Sequence, residues 1–172
     1  MSGAFMLRGT NAPFFKIGRV MSYIFNGFFA LATEPVLESA LHRWPFCRGR
    51  MIDHPFKGIG VDAALWPNHF TVEEAEAHRQ RLHDFDRSFS EWTQEFPDVT
   101  FVKIWVECFG GQCDYWGYVC CNGVVLHREE EPFLDTEEPD QPLLRLLSYL
   151  GLQQDDPYFP PFERGYFDAD AA

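Results

Sequence analysis

Hydrophobic and polar positions alternate most regularly between Thr100 and His127, in the stretch TFVKIWVECFGGQCDYWGYVCCNGVVLH. Val102, Ile104, Val106 and Cys108 fall on one face of an extended chain, and Phe101, Lys103, Trp105, Glu107 and Phe109 on the other. Gly110-Gly111 supplies a reversal, and Asn122-Gly123 has the chemistry of a type I′ turn with both central φ angles positive. The stretch is therefore expected to be a three-stranded meander. Its fully apolar face is expected to look at a long helix; its mixed aromatic and charged face should be covered by another segment or form a binding surface.

That long helix is predicted from Thr71 to Phe96. Thr71 and Glu74 stand at capping-box spacing, and Ala75, His78, Leu82, Phe85, Phe89, Trp92 and Phe96 recur every three or four residues up to Pro97. A seam of about 25 residues would run about 36 Å, enough to cross a sheet. Glu73, Glu76, Arg79, Asp84, Arg87 and Glu91 make the opposite, solvated side, and His78 reads as a hydrogen-bonded core histidine.

Ser22 to Leu31 (SYIFNGFFAL) is apolar on both faces except at Asn26, the signature of a strand central in its sheet. Thr33 can cap a following short helix, with Pro35 in its first turn, Val36, Leu37, Ala40, Leu41 and Trp44 on one face, and Pro45 ending it. A strand is expected around Arg50 to His54, and a second extended piece around Lys57 to Asp62 is compatible with the glycines there. Gly58-Ile59-Gly60 lacks the helix start and Lys-Ser/Thr partner of a phosphate cradle. Near the end, Asp140 can cap a helix from Pro142 to Leu150 that packs Leu143, Leu146, Leu147 and Leu150 inward and stops at Gly151.

The expected fold is a single α+β domain with a mostly antiparallel sheet, in the order strand, helix, strand, helix, three strands, helix. Residues 1–20 read as a weakly ordered extension, with Met21 as an alternative start, and residues 152–172 as an extended arm anchored by Tyr158, Phe159, Phe162, Tyr166 and Phe167. Lys16 and Arg19 before the apolar run Val20 to Ala32 imitate a secretory signal, but Asn26 and Gly27 interrupt its hydrophobic part. The strand reading is preferred.

Charge changes the picture more than composition does. The 172 residues carry a net charge of −12, yet no acid occurs before Glu34, whereas twelve acids face two arginines after Arg128. The segment Arg128 to Asp140 (REEEPFLDTEEPD) is read as an exposed acidic loop. A field of this sign repels nucleic acid and anionic membranes and attracts cationic partners. At 46% hydrophobic and 17% aromatic, the chain nonetheless has ample material for a core.

The five cysteines are odd in number and include the adjacent Cys120 and Cys121, which points to reduced thiols and a cytoplasmic setting. Cys108, Cys113, Cys120 or Cys121, and His127 lack the paired two-residue spacing common in zinc sites, so packing is the preferred role and no cofactor or metal is expected. Glu107 and Cys113, each with a histidine such as His127, are the candidates for catalysis. Glu107 lies between Trp105 and Phe109, where burial would favour its neutral form; Cys113 lies in a glycine-rich turn; and His54, His69 or His127 could supply a base.

The acidic and aromatic surface suggests a different function: a non-enzymatic protein that binds a basic protein partner, as toxin-neutralising immunity proteins and inhibitors do. Trp105, Phe109 and Trp116 would be its anchors, and Glu129, Glu130, Glu131, Asp135, Glu137, Glu138 and Asp140 its steering charges. The alternative is a small hydrolase or transferase using Glu107 or Cys113 with a histidine.

Overall fold

The computed structural model describes residues 23–64, 71–109, 112–129, 141–152, 161 and 165–167. Its centre is strand β1 (Tyr23–Ala30), which pairs antiparallel with β3 (Gly58–Asp62) on one side and β4 (Thr100–Phe109) on the other. β2 (Arg48–Ile52), β5 (Gln112–Cys121) and β6 (Val124–Glu129) complete a six-stranded antiparallel sheet in the order β2-β3-β1-β4-β5-β6. The double-sided apolarity of Ser22 to Leu31 thus marks the strand with neighbours on both edges and helices on both faces. The optional piece near Lys57 to Asp62 is a full strand, so the expected five strands become six.

One face carries α1 (Glu34–Arg43) and α2 (Val72–Trp92). Phe28 from β1 sits at the middle of this layer, with ring centroids 5.0 Å from Phe89, 5.5 Å from Trp92 and 5.7 Å from Phe101. Trp44 stands edge-on to Phe85 at 4.8 Å. The indole N–H of Trp44 donates to Ser88 Oγ, and that of Trp92 to Ser39 Oγ, so each large ring in the α1–α2 seam also satisfies its polar atom.

The capping box at Thr71 and Glu74 is present in both directions. His78, Leu82, Phe85, Phe89 and Trp92 are the buried members of the predicted seam. A 3₁₀ turn at Thr93–Glu95 replaces the last predicted turn of the helix. On the solvated side Arg79 pairs with Glu76, and Arg87 with Asp84 at 3.1 Å.

The opposite face carries α3 (Gln141–Leu147), whose Leu143, Leu146 and Leu147, with Leu150 beyond it, pack on Val102, Ile104, Val106, Cys108 and Val119. Phe25 and Phe29 stack at 5.2 Å on this side. Phe167 lies 5.9 Å from Phe25, and Tyr166 and Phe167 pack against the same cluster.

This reverses the expected facing of β4. Val102, Ile104 and Val106 look at α3 and the Tyr166-Phe167 segment, while Phe101 and Lys103 look at the long helix. The cause is an α2 seam that is itself aromatic: Phe85, Phe89 and Trp92 pack ring against ring with Phe28 and Phe101, and the aliphatic face is left for the leucines of α3.

At the β5–β6 turn Asn122 has φ 50° and Gly123 φ 74°, the two positive angles expected of type I′. Gly151, with φ 79°, closes the last 3₁₀ turn in the left-handed region. The glycines at 58 and 60 lie within β3, where a Cβ on Gly60 would come within 3.1 Å of the Phe167 ring; close packing, not phosphate binding, explains that position.

The expectation of wholly reduced cysteines is corrected: Cys108 is disulfide-bonded, and Cys113 is its register partner across β4 and β5. Cys47, Cys120 and Cys121 are free thiols. Among the described residues no helix is long and apolar enough to cross a membrane.

Candidate functional site

On the α1–α2 face, β4 and β5 present successive cross-strand pairs: Phe101 with Cys120, Lys103 with Tyr118, Trp105 with Trp116, then Glu107 with Asp114. The first of these lies in the aromatic core under α2. The second is where the sheet turns polar, with Lys103 against α2 and the Arg128 guanidinium 5.5 Å over the Tyr118 ring.

The Trp105 and Trp116 indoles are stacked, with centroids 4.9 Å apart and planes 17° from parallel. Both are half-buried and belong to neither core cluster. Directly facing aromatic pairs stabilise a sheet, but Trp N–H groups normally also find an acceptor. Trp105 Nε1 is shielded from solvent and has no hydrogen-bond partner among the described residues. Next along the strand, Glu107 is exposed.

Beneath α2, Lys103 is 5% exposed and its ammonium sits 2.9 Å from Asp86 Oδ1, hydrogen-bonds Asn26 Oδ1 and lies 4.8 Å over the Phe85 ring. Burial pushes the Lys103 pKa down, and Asp86 opposes that shift. The lone polar residue of β1 and the lysine of β4 are thus two halves of one buried network, closed by a carboxylate of the helix. Nearby, burial raises Asp62 to about 6, against a backbone hydrogen bond from Ala64 and the charge of Arg48; it also raises the Cys47 thiol.

The other face has its own charged cluster at the sheet edge. Glu129 accepts two hydrogen bonds from Arg145, at 2.6 and 2.8 Å, and meets His127 Nε2 at 2.6 Å. The His127 ring lies 5.8 Å from that of Tyr149. Arg145 first, and His127 with it, hold the Glu129 carboxyl below its ordinary pKa. This carboxylate, one of the expected steering charges, is thus engaged by two cationic or polar partners of its own chain.

The catalytic candidates do not converge. Glu107 lies on the α2 face and is exposed, which removes the burial on which its candidacy rested. Lys103, four residues before it on the same strand face, turns to Asp86. His127 lies on the α3 side, across the sheet from Glu107. The Cys113 side chain lies outside the described residues; its backbone sits six positions along β5 from Val119, the register partner of His127, or about 20 Å at ~3.4 Å per residue. His69 also lies outside the described residues, and His54 precedes the cis Pro55 in the β2–β3 connection. The residues considered for zinc are similarly dispersed, with Cys108 facing α3 in a disulfide and Cys120 facing Thr93 at 3.4 Å on the opposite face.

Of the binding candidates, Trp105 and Trp116 come together, the Phe109 side chain lies outside the described residues, and so do Glu130, Glu131, Asp135, Glu137, Glu138 and Asp140. Sequence reasoning missed the Lys103–Asp86–Asn26 network and the role of Arg145. The available signal was Asn26, alone in a strand apolar on both faces, and a lysine set among the aromatics of β4, because such residues must find each other or a third group.

Comparisons with protein-family models, with curated proteins and with solved structures yielded no match to this chain.

Proposed function

We propose that this chain is a non-enzymatic binding protein for a basic protein partner, with toxin-neutralising inhibition as the class of role that suits it. The observation that carries the reading is the stacked Trp105–Trp116 pair, half-exposed outside both cores, with the exposed carboxylate of Glu107 next to it. Aromatic rings of this kind are the usual anchors of protein interfaces, and a surrounding acidic field speeds encounter with a cationic partner. The concentration of twelve acids after Arg128 supplies that field. The separation of Glu107, Cys113 and His127 gives the hydrolase or transferase alternative little to build on.

The test is affinity capture from native lysate at low salt and at about 0.5 M salt, where the Debye length falls to ~4 Å. It is run with the wild type and with a variant carrying Asp135→Asn, Glu137→Gln and Glu138→Gln. A basic protein held at low salt, released at high salt, held less by the variant and inhibited in its own activity when bound is the expected result. Recovery of no basic protein at low salt would overturn the reading, as would equal retention by the variant and at high salt.

A further inference from the structure

We infer that the Trp105–Trp116 stack, with Glu107 beside it, is a seat for an arginine side chain of that basic partner. The inference rests on the reading above and specifies the chemistry of its contact. A guanidinium is planar and weakly hydrated, so it can lie flat on an indole while its N–H groups point outward in the ring plane. Few other side chains combine an aromatic contact with a fork of donors.

The geometry matches both demands. Glu107 follows Trp105 by two positions on the same strand face, so its backbone is displaced by about 6.8 Å along the strand. A carboxylate at that distance reaches the edge of a guanidinium resting on the indole. Trp116 faces Trp105 across the ladder and stacks on one face of its indole, with planes 17° from parallel, so it backs that ring against a guanidinium resting on the other face. Tryptophan is also the most favourable ring for a cation.

Elsewhere the chain itself uses the same pairing, with Arg50 4.7 Å over the Tyr166 ring and donating to the Tyr166 carbonyl. Arginine is favoured over lysine because the ammonium is a strongly hydrated point charge without the flat face. Nucleic-acid bases stack on tryptophan too, but the net charge of −12 opposes their phosphates.

The experiment is a titration of the full chain with N-acetyl-arginine amide, N-acetyl-lysine amide and the neutral disaccharide cellobiose, followed through the five tryptophan indole N–H resonances. Trp116→Phe and Glu107→Gln are examined in parallel. Arginine amide should shift the Trp105 and Trp116 indole proton resonances, with an affinity at least roughly threefold above that of lysine amide. Glu107→Gln, an exposed substitution, should weaken it roughly threefold to fivefold. Absence of any shift at Trp105 and Trp116 would overturn the inference, as would an arginine response unchanged in Glu107→Gln or a response to cellobiose alone. The two proposals fail separately: a captured basic protein retained equally by Trp116→Phe and Glu107→Gln refutes the arginine seat and leaves the binding function standing. Failure to capture a basic protein refutes that function, while the titration still decides whether the seat exists.

Discussion

Lys103 of β4 and Asp86 of α2 meet at 2.9 Å in an apolar layer rich in aromatic rings. The lysine is almost fully buried, whereas the Asp86 side chain is 40% exposed, so water reaches only one end of the pair. The pair therefore fixes how α2 lies on the sheet more than it adds net stability, since removing two charges from water offsets much of their attraction. Asp86→Ala strands the ammonium under the helix and should cost about 2–3 kcal/mol, less than the ~3–5 of a wholly buried pair because the site borders solvent. Lys103→Met removes charge and desolvation together and should change stability by less than about 1 kcal/mol. Urea denaturation of the two variants checks both, and an equal loss in each would contradict this account.

Asp62 gives the fold a pH dependence of the opposite sign to ordinary acid denaturation. Its folded pKa, about 6, lies above the ordinary 3.8, so the folded state holds the proton more tightly than the unfolded chain does. The associated stability is fully present below about pH 4 and is lost as the pH rises through 6. The difference of about two pKa units corresponds to an upper bound of about 3 kcal/mol. Asp62→Asn should gain stability relative to wild type between pH 4 and pH 7, measured as the separation of their urea midpoints at the two values.

Glu129 works in the usual direction. Its folded pKa is depressed by Arg145 and His127, so its contribution is present above the unfolded carboxyl range and is lost as the pH falls through the lowered value. Arg145→Leu should destabilise the chain at pH 7 by about 1–3 kcal/mol, because Glu129 is only 12% exposed and loses a two-point partner. The same variant should show a flatter acid limb, and thermal melts from pH 3 to pH 7 test it.

Gly123→Ala strains the β5–β6 turn in two ways. The φ of 74° disfavours any Cβ, and that atom would stand 2.6 Å from the Gln94 amide nitrogen. A loss of about 1–2 kcal/mol is expected. Thr93 Oγ1, which accepts from the Gly123 N–H at 3.0 Å, should become less effective at holding the hairpin, seen as faster amide exchange at residue 123.

Much of this architecture is legible in the amino-acid sequence. The capping box at Thr71, the seam from His78 to Trp92, the positive φ pair at Asn122-Gly123 and the stop at Gly151 are local effects, each decided within a few residues by backbone sterics or amide satisfaction. The central place of Ser22 to Leu31 was also readable, because a strand apolar on both faces needs cover on both. The Trp105–Trp116 pair was legible as residue types but not as a pair, since their meeting depends on the register of β4 with β5.

What the sequence alone determined is therefore most of the elements, several of their ends and the alternation of faces along each strand. Tertiary structure decided which face meets which helix: both sides of β4 can be buried, and only the fit of α2's rings to Phe28 and Phe101 assigns the aromatic face to it. It likewise decided the strand order β2-β3-β1-β4-β5-β6, the union of Asn26, Lys103 and Asp86, and the placement of Glu107 and His127 on opposite sides of the sheet. Periodicity is a local property, whereas these outcomes join residues up to 85 positions apart, and only the packing of the whole chain selects among them.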